Sequence, residues 1–163
     1  IVLDMDGDGK LEASGGMWLP HPLAKDAKTV AFDLTGNGFD EVVEWVGPND
    51  GILITYEEGK PVNGNNLFGR AGGYEHGYEK LMTLDENKDR KLTGDELSTL
   101  HVWQDNGNAK VDKDEVTSVA ALGITEIGVE AVNMVSYFVQ NDVKKTMWDW
   151  HPVMMVVKKL EDK

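Results

Sequence analysis

The stretch DENKDRKLTGDE, residues 85–96, decides how the middle of this chain is interpreted. Its first, third, fifth and twelfth places carry oxygen-bearing side chains, which are Asp85, Asn87, Asp89 and Glu96. Lys91, at the seventh place, can offer its backbone carbonyl. A twelve-residue EF-hand loop wraps Ca²⁺ with ligands at these places and closes with a bidentate glutamate at the twelfth. The spacing therefore predicts a calcium loop.

The sixth place of this loop is Arg90. An EF-hand loop has glycine there, because the chain turns with a positive φ that costs other residues about 1–2 kcal/mol. That cost corresponds to about a tenfold loss of affinity, and four well-placed oxygen ligands outweigh it. We therefore expect a weakened calcium loop with a left-handed Arg90 rather than a solvated acidic turn.

A second acidic stretch, DMDGDGKLE at residues 4–12, has aspartates at three alternate places and glycine at the sixth. Its twelfth place is Gly15, which has no side-chain oxygen. Either Glu12 at the ninth place or a residue from elsewhere in the chain would have to close the loop around a cation. The candidate ligands are Asp4, Asp6, Asp8, Lys10 through its carbonyl, and Glu12. The alternative interpretation is a plain β-turn.

A third stretch, DLTGNGFDEVVE at residues 33–44, repeats the beginning of the second. Both start D-x-[DT]-G-[DN]-G after an apolar stretch, and glutamate follows in each. Threonine replaces the acid at the third place and asparagine replaces it at the fifth, so we expect a weaker site. The candidate ligands are Asp33, Thr35, Asn37, Phe39, Glu41 and Glu44.

A fourth stretch, DNGNAKVDKDE at residues 105–115, is one residue shorter than the standard loop and lacks glycine at the turn. Its register is therefore ambiguous. The candidate ligands are Asp105, Asn108, Asp112 and Glu115. The alternative is that the last two only cap a helix.

The 163-residue chain carries 29 acidic and 16 basic residues, a formal charge of −13. This balance disfavours nucleic acid and anionic membranes as partners and favours cations. The chain has no cysteine, which excludes disulfides and makes metal ions the natural staple. The sequence contains neither an apolar run of membrane-spanning length nor a visible signal peptide, and its start at Ile1 says nothing about export.

Apolar spacing predicts helices in the middle of the chain. Positions three and four apart favour short helices at 78–82, at 97–103 and at 111–123. The last of these begins with a capping-box-like Asp112 and Glu115 and ends at Gly123. The order would be helix, loop, helix, loop, helix.

The flanks of the chain predict strands. Residues 44–56 have the composition of a strand, a Gly-Pro-Asn-Asp-Gly turn and a second strand, and a further hairpin turn is predicted at Asn141-Asp142. We therefore expect an α+β fold, an EF-hand-like helix–loop–helix pair flanked by β-hairpins, in one calcium-binding module. Its parts would be 1–73, with hairpins and two DxDxDG-type loops, 74–123, with the helix pair, and 124–163, with a C-terminal hairpin.

Five blocks of sequence carry a resemblance to a known family. They are LDMDGDG, FDLTGNGFDEVVEWVGPNDGIL, NNLFG, HGYEKLMTLDENKDRKLTGDELSTLHVWQD and VTSVAALGITEIGV. In this order they resemble the blocks of the calcium-binding self-processing (clip-and-link) module of iron-regulated Frp-type RTX proteins. The resemblance covers about residues 1–130. It implies a bacterial protein that is secreted and folds on calcium.

Active members of that family cleave an Asp-Pro bond just upstream of the module when calcium binds, and they join the freed aspartyl group to a lysine as an isopeptide. This sequence contains no Asp-Pro dipeptide, so any such bond of a parent protein lies before Ile1. The stretch TYEEGKPVNGNN is also shorter and poorer in ligands than the family's loop at this place. The resemblance therefore implies the calcium loops more directly than the cleavage.

The sequence favours a calcium-binding module of a secreted or cell-surface bacterial protein, which folds and stiffens on calcium. Autocatalytic processing is the alternative, and a dockerin-like or carbohydrate-binding role comes third. No HExxH, GxSxG or P-loop motif is present, so no conventional catalytic residue is predicted. The expected partners are calcium ions and either other domains of a larger parent protein or neighbouring copies.

Overall fold

A computed structural model describes residues 1–12 and 29–155. In this part of the chain the backbone forms eleven short strands, one α-helix and one 3₁₀ turn. The strands are β1 (Val2–Leu3), β2 (Thr29–Phe32), β3 (Glu41–Glu44), β4 (Gly51–Thr55), β5 (Lys91–Thr93), β6 (Leu100–Trp103), β7 (Val116–Ser118), β8 (Ile124–Gly128), β9 (Val135–Gln140), β10 (Val143–Trp148) and β11 (Met154–Met155). The helix α1 spans Gly77–Met82, and the 3₁₀ turn spans Gly94–Leu97.

Two antiparallel sheets contain these strands. Eight strands form one sheet in the order β5-β8-β9-β10-β1-β4-β6-β7, and three form the other in the order β11-β3-β2. The two-residue strand β1 lies at the centre of the larger sheet, where Val2 stands opposite Trp148 of β10 and Ile52 of β4. The first strand of the chain is therefore paired with β10, which lies more than 140 residues later.

Both faces of the larger sheet are buried, because alternate residues of a strand point to opposite sides. Along β4, Leu53 faces a cluster that includes Tyr78 and Leu81 of α1, whereas Ile52 and Ile54 face a second cluster under the smaller sheet. The second cluster is rich in aromatic residues. The ring centroids of Phe32 and Trp45 lie 5.0 Å apart, and those of Trp45 and Trp103 lie 5.6 Å apart. The core is therefore built from sheet faces rather than from helices.

The predicted helix–loop–helix pair, and with it the α+β fold class, is wrong. Only α1 forms near its predicted place, with the imidazole Nδ1 of His76 accepting the N–H of Glu79 at its start. Residues 97–103 instead end the 3₁₀ turn and form β6, and 116–118 form β7. Helices this short are marginally stable because nucleation is costly. The pairing of β6 with β4 and β7 outweighs the helical spacing of Leu97, Leu100 and Trp103. The described chain is nearly all β.

The predicted hairpin at 44–56 is also wrong, because β3 and β4 belong to different sheets. The chain leaves β3 through Trp45, whose buried ring lies in the aromatic cluster, and only then enters the larger sheet. The hairpin turn at Asn141-Asp142 is confirmed. Both residues have positive φ, 49° and 64°, as a two-residue type I′ turn between β9 and β10 requires. No helix among the described residues is both long enough and apolar enough to cross a membrane.

Candidate metal-binding loops

Loop 3 (residues 85–96) is organised by its first aspartate. The buried carboxylate of Asp85 accepts the backbone N–H groups of Asp89 (3.2 Å) and Arg90 (2.9 Å). These bonds hold a turn in which Lys88 and Arg90 have φ values of 62° and 70°. The prediction of a left-handed Arg90 is confirmed. The guanidinium is turned outward and pairs with exposed Glu130.

The last glutamate of loop 3 folds back over its beginning. Glu96 Oε1 accepts the N–H of Glu86 at 2.9 Å, and its Oε2 accepts the N–H of Thr93 at 3.0 Å. Asp89 Oδ1 accepts the N–H of Lys91 at 3.1 Å. The first, fifth and twelfth places, predicted as ligands, therefore all accept backbone N–H groups of the same loop.

The side chain of Lys91 points away from loop 3. Its ammonium lies 3.0 Å from Glu126 Oε2, and the Tyr137 hydroxyl donates to Glu126 Oε1 at 2.6 Å. The hydrogen bond to Glu126 raises the pKa of Tyr137 to about 12. The ammonium of Lys91 is thus held by Glu126 of β8. This suits the seventh place, which would offer only its backbone carbonyl to a cation.

Loop 2 (residues 33–44) has the same organisation with a shorter closure. Asp33 accepts the N–H groups of Asn37 (3.0 Å) and Gly38 (2.9 Å). Glu41, only 2% exposed, accepts the N–H of Leu34 at 2.8 Å and the hydroxyl of Thr35 at 2.8 Å. Glu41, at the ninth place, therefore accepts the N–H of the second residue of loop 2, as Glu96 at the twelfth place does in loop 3.

Two other predicted ligands of loop 2 have different surroundings. Glu44 lies in β3 opposite Thr29 of β2, beyond the residue that closes the loop. Phe39 has a 72% exposed side chain, and its N–H donates to Asn37 Oδ1 at 2.9 Å. Hydrogen bonds within the loop therefore join Asp33 to Asn37 and Thr35 to Glu41, whereas Glu44 lies further along β3.

The hydrogen bonds of loop 4 (residues 105–115) settle its register. Asn108 Oδ1 accepts the N–H of Lys110 at 2.8 Å, the same two-residue step that the fifth places of loops 2 and 3 make. Asp105 Oδ2 accepts the N–H groups of Gly107 and Ala109, both with positive φ. Asn108 therefore corresponds to the fifth place, and the residue that this loop lacks comes before it.

The end of loop 4 also folds back. Glu115 Oε1 accepts the N–H of Asn106 at 3.0 Å, and the Asp112 carboxylate accepts the side-chain amides of Asn106 and Asn108. Asp105 is 4% exposed, and its Oδ1 has no hydrogen-bond partner anywhere in the described chain. No helix follows, so these residues do not act as helix caps.

Loop 1 (residues 4–12) brings three carboxylates together. Asp4, Asp6 and Asp8 each offer an oxygen within 4.8 Å of the others. Asp4 accepts the N–H groups of Gly7 (2.7 Å) and Gly9 (2.9 Å), and Asp8 accepts that of Lys10. This half of the loop matches the beginning of loops 2 and 3.

A buried carboxylate that was not predicted as a ligand, that of Asp50, contacts the end of loop 1. The Glu12 carboxylate accepts the Asn49 amide instead of folding back, and the Glu12 N–H donates to Asp50 Oδ2 at 2.6 Å. Asp50 is 1% exposed, and its Oδ1 lacks a partner among the described residues. In the sequence, Asp50 lies within the stretch predicted to form a hairpin turn. Its position beside loop 1 follows only from the structure, where the Glu12 N–H contacts its carboxylate.

Electrostatics single out Asp50. Burial raises its pKa to about 6, against a hydrogen bond from the Glu12 backbone that lowers it, and the carboxylates of Asp4 and Asp6 raise it further. A buried carboxylate with an unpaired oxygen beside other acids is costly without a counter-charge. A divalent cation bound by oxygen ligands would supply that charge.

Comparison with known proteins identifies a family model that matches most of this chain. The model of the SPM domain matches residues 1–148. The chain is 30% identical over 138 residues to the iron-regulated protein FrpA of Neisseria meningitidis serogroup C. That match covers 78% of this chain and 12% of the relative, so the chain spans about an eighth of the relative's length.

Proposed function

The chain belongs to the SPM domain family, the Frp-type self-processing modules, and on that premise we propose that it is a calcium-binding module of a secreted or cell-surface bacterial protein. The module folds and stiffens when Ca²⁺ binds. The observation that carries the proposal is the shared organisation of loops 2, 3 and 4. In each, a first aspartate and a last glutamate are held by N–H groups of the same loop.

This organisation suits calcium better than other common ions. The loops offer carboxylate, amide and carbonyl oxygens, which are the ligands of hard cations, and no histidine or cysteine ligand. The unpaired, buried oxygens of Asp50 and Asp105 lie at loops 1 and 4. We assign the ligand places of all four loops as predicted, with Glu41 in preference to Glu44, and add Asp50.

Calcium couples to folding through the positions of the loops. Loop 2 follows β2 and ends in β3, loop 3 follows α1 and contains β5, loop 4 joins β6 to β7, and loop 1 follows the central strand β1. Crowded carboxylates repel one another in the folded protein, and a cation that binds only the folded state stabilises it by mass action. Since β1 pairs with β10, we propose that residues 1–163 form a single module.

The partners follow from the length comparison. The chain spans a small part of the relative it matches, so we place the module within a larger protein. Its partners would be calcium ions and either the other domains of that protein or neighbouring copies. No nucleic acid is proposed, because the formal charge is −13.

Thermal unfolding tests the proposal. The midpoint should be higher in millimolar Ca²⁺ than in chelator, because one site at a hundred times its dissociation constant adds about 2.7 kcal/mol. For a chain of this size that is about 5–10 °C. Sodium chloride at the same ionic strength is the control for screening. Equal midpoints in calcium and chelator would refute the proposal.

The alternative is calcium-triggered cleavage of an Asp-Pro bond upstream, with isopeptide ligation to lysine. The position of Ile1 supports this alternative. The Ile1 carbonyl accepts the N–H of Leu53 at 3.0 Å. A peptide joined to Ile1 would therefore start beside the central strand of the sheet. Fusing an Asp-Pro segment before Ile1, adding calcium and weighing the products tests the alternative. An intact chain after prolonged incubation would exclude it.

A further inference from the structure

A cavity of about 400 Å³ lies between the two sheets, and its lining includes Leu34 and Thr35 of loop 2 but no residue of loops 1, 3 or 4. Its walls are mostly apolar and aromatic, and they include Trp45, Ile52, Leu67, Phe68, Trp150 and Met154. This volume is within the range of small-molecule sites, which combine apolar walls with a few polar groups that orient the ligand. The charged groups around the cavity therefore decide which ligand fits.

Arg70 is the decisive charge. The chain has two arginines, and Arg90 pairs with Glu130 at 3.2 Å. Arg70 lines the cavity, is exposed at its mouth, and makes no ion pair with any residue of 1–12 or 29–155. An arginine without a carboxylate is unexpected in a chain of charge −13, where acids greatly outnumber bases. Its planar group is well suited to a carboxylate.

The carboxylate of Asp149, in the cavity wall, is already hydrogen-bonded within the protein. Asp149 Oδ2 accepts the N–H of Gly77 at 2.6 Å and lies 3.1 Å from His151 Nε2. Its Oδ1 has essentially no accessible surface, so a molecule in the cavity cannot reach it. Asp149 therefore ties the start of α1 to the chain after β10. Arg70 is the permanent positive charge of the wall that a ligand can contact.

We propose that this cavity binds a small molecule with an apolar body and a carboxylate, with the carboxylate at Arg70 and the body against Trp45 and Trp150. The charge of the whole protein gives the proposal a sharp contrast. Non-specific attraction to a −13 protein favours cations over anions. A preference for the anionic member of a matched ligand series would therefore come from the site itself.

Three ligands of equal body test the proposal: 4-phenylbutyrate, 4-phenylbutanol and 4-phenylbutylammonium. They are titrated into the intact chain in millimolar calcium, following tryptophan emission excited at 295 nm, since Trp45 and Trp150 line the cavity. We expect the carboxylate to bind most tightly. Arg70→Gln should weaken it about fivefold, the upper range of a partly exposed ion pair, and Arg70→Lys should weaken it less.

Lys60→Gln is the control, because it removes the positive charge of an exposed residue that lies outside the cavity and outside all four loops, and it should leave binding unchanged. Thermal melts in calcium establish that each variant is folded. Binding of the ammonium as tightly as the carboxylate, an equal loss in Lys60→Gln, or no binding by any of the three would overturn the proposal.

Discussion

Loops 3 and 1 begin alike and close differently. In loop 3 the last glutamate returns to the second residue of the same loop, so twelve consecutive residues form a complete unit. In loop 1 the Glu12 N–H donates to Asp50, which lies 38 residues away and directly before the strand β4. A self-contained loop can bind a cation with local consequences. A composite loop binds a cation only if the sheet has brought its parts together.

The largest expected effect is at Asp50, because it separates the two kinds of loop. Asp50→Asn removes the charge that closes loop 1. In calcium at a thousand times the dissociation constant it should cost about 4 kcal/mol of unfolding free energy, the contribution of one site. In chelator the same variant should be neutral or stabilising, since burial disfavours this charge. Denaturant unfolding in both conditions measures the difference.

The control for Asp50→Asn is Glu58→Gln, which changes an exposed acid outside all four loops and should have little effect in either condition. If Asp50→Asn destabilises equally in calcium and in chelator, Asp50 has only a structural role. Loop 1 would then need another closing residue.

The pH dependence of the calcium-free protein gives the next effect. The pKa of Asp50 is raised to about 6 in the folded chain, so its contribution favours folding below pH 4 and is lost as pH rises from about 4 to 6. The loss should be on the order of 2–3 kcal/mol. It is measured as the difference between wild type and Asp50→Asn in chelator, so that other carboxylates cancel. Parallel pH profiles for the two proteins would contradict the assignment.

Loop 3 should respond to the loss of its own glutamate. Glu96→Gln keeps the shape but removes a charge from the closing residue, and we expect calcium binding to weaken about tenfold, or about 1.4 kcal/mol. Thr35→Ala in loop 2 removes a neutral group and should weaken binding less. Calorimetric titration of both variants provides the order. The reverse order would place the main site outside loop 3.

The smallest expected effect is at Arg90, where φ is 70°. Arg90→Gly relieves a cost of at most about 1–2 kcal/mol and removes a positive charge near the site. The greater freedom of glycine in the unbound chain offsets about 0.4–1 kcal/mol. The exposed pair with Glu130 adds little. We expect calcium to bind two- to fivefold more tightly at matched ionic strength, and weaker binding would contradict this account.

The same contrast explains what the sequence could predict. The spacing of residues within twelve positions was enough to predict the turn of loop 3 with its left-handed Arg90. Two turn residues were enough to predict the hairpin turn at Asn141-Asp142. These features depend on neighbours in the chain. The family resemblance was likewise confirmed, because it rests on local blocks in a fixed order.

Features that depend on distant partners were predicted poorly. Leu97, Leu100 and Trp103 have a helical spacing, yet β6 forms because β4 and β7 flank it. The register of loop 4 and the role of Glu41 became clear only from hydrogen bonds. Asp50 could not be assigned, since the spacing of residues around it predicts a turn. The fold class was therefore wrong, although the turns that begin loops 1, 2 and 3 lie where the sequence predicts them.

The strand β5 lies at one edge of the larger sheet, where unpaired N–H groups would invite another chain to add a strand. Two of its donors are already taken inside loop 3: the Lys91 N–H by Asp89, and the Thr93 N–H by Glu96. The carboxylates assigned to the cation therefore also shield this edge from pairing with a second molecule. Whatever holds Asp89 and Glu96 in place protects the protein against edge-to-edge aggregation.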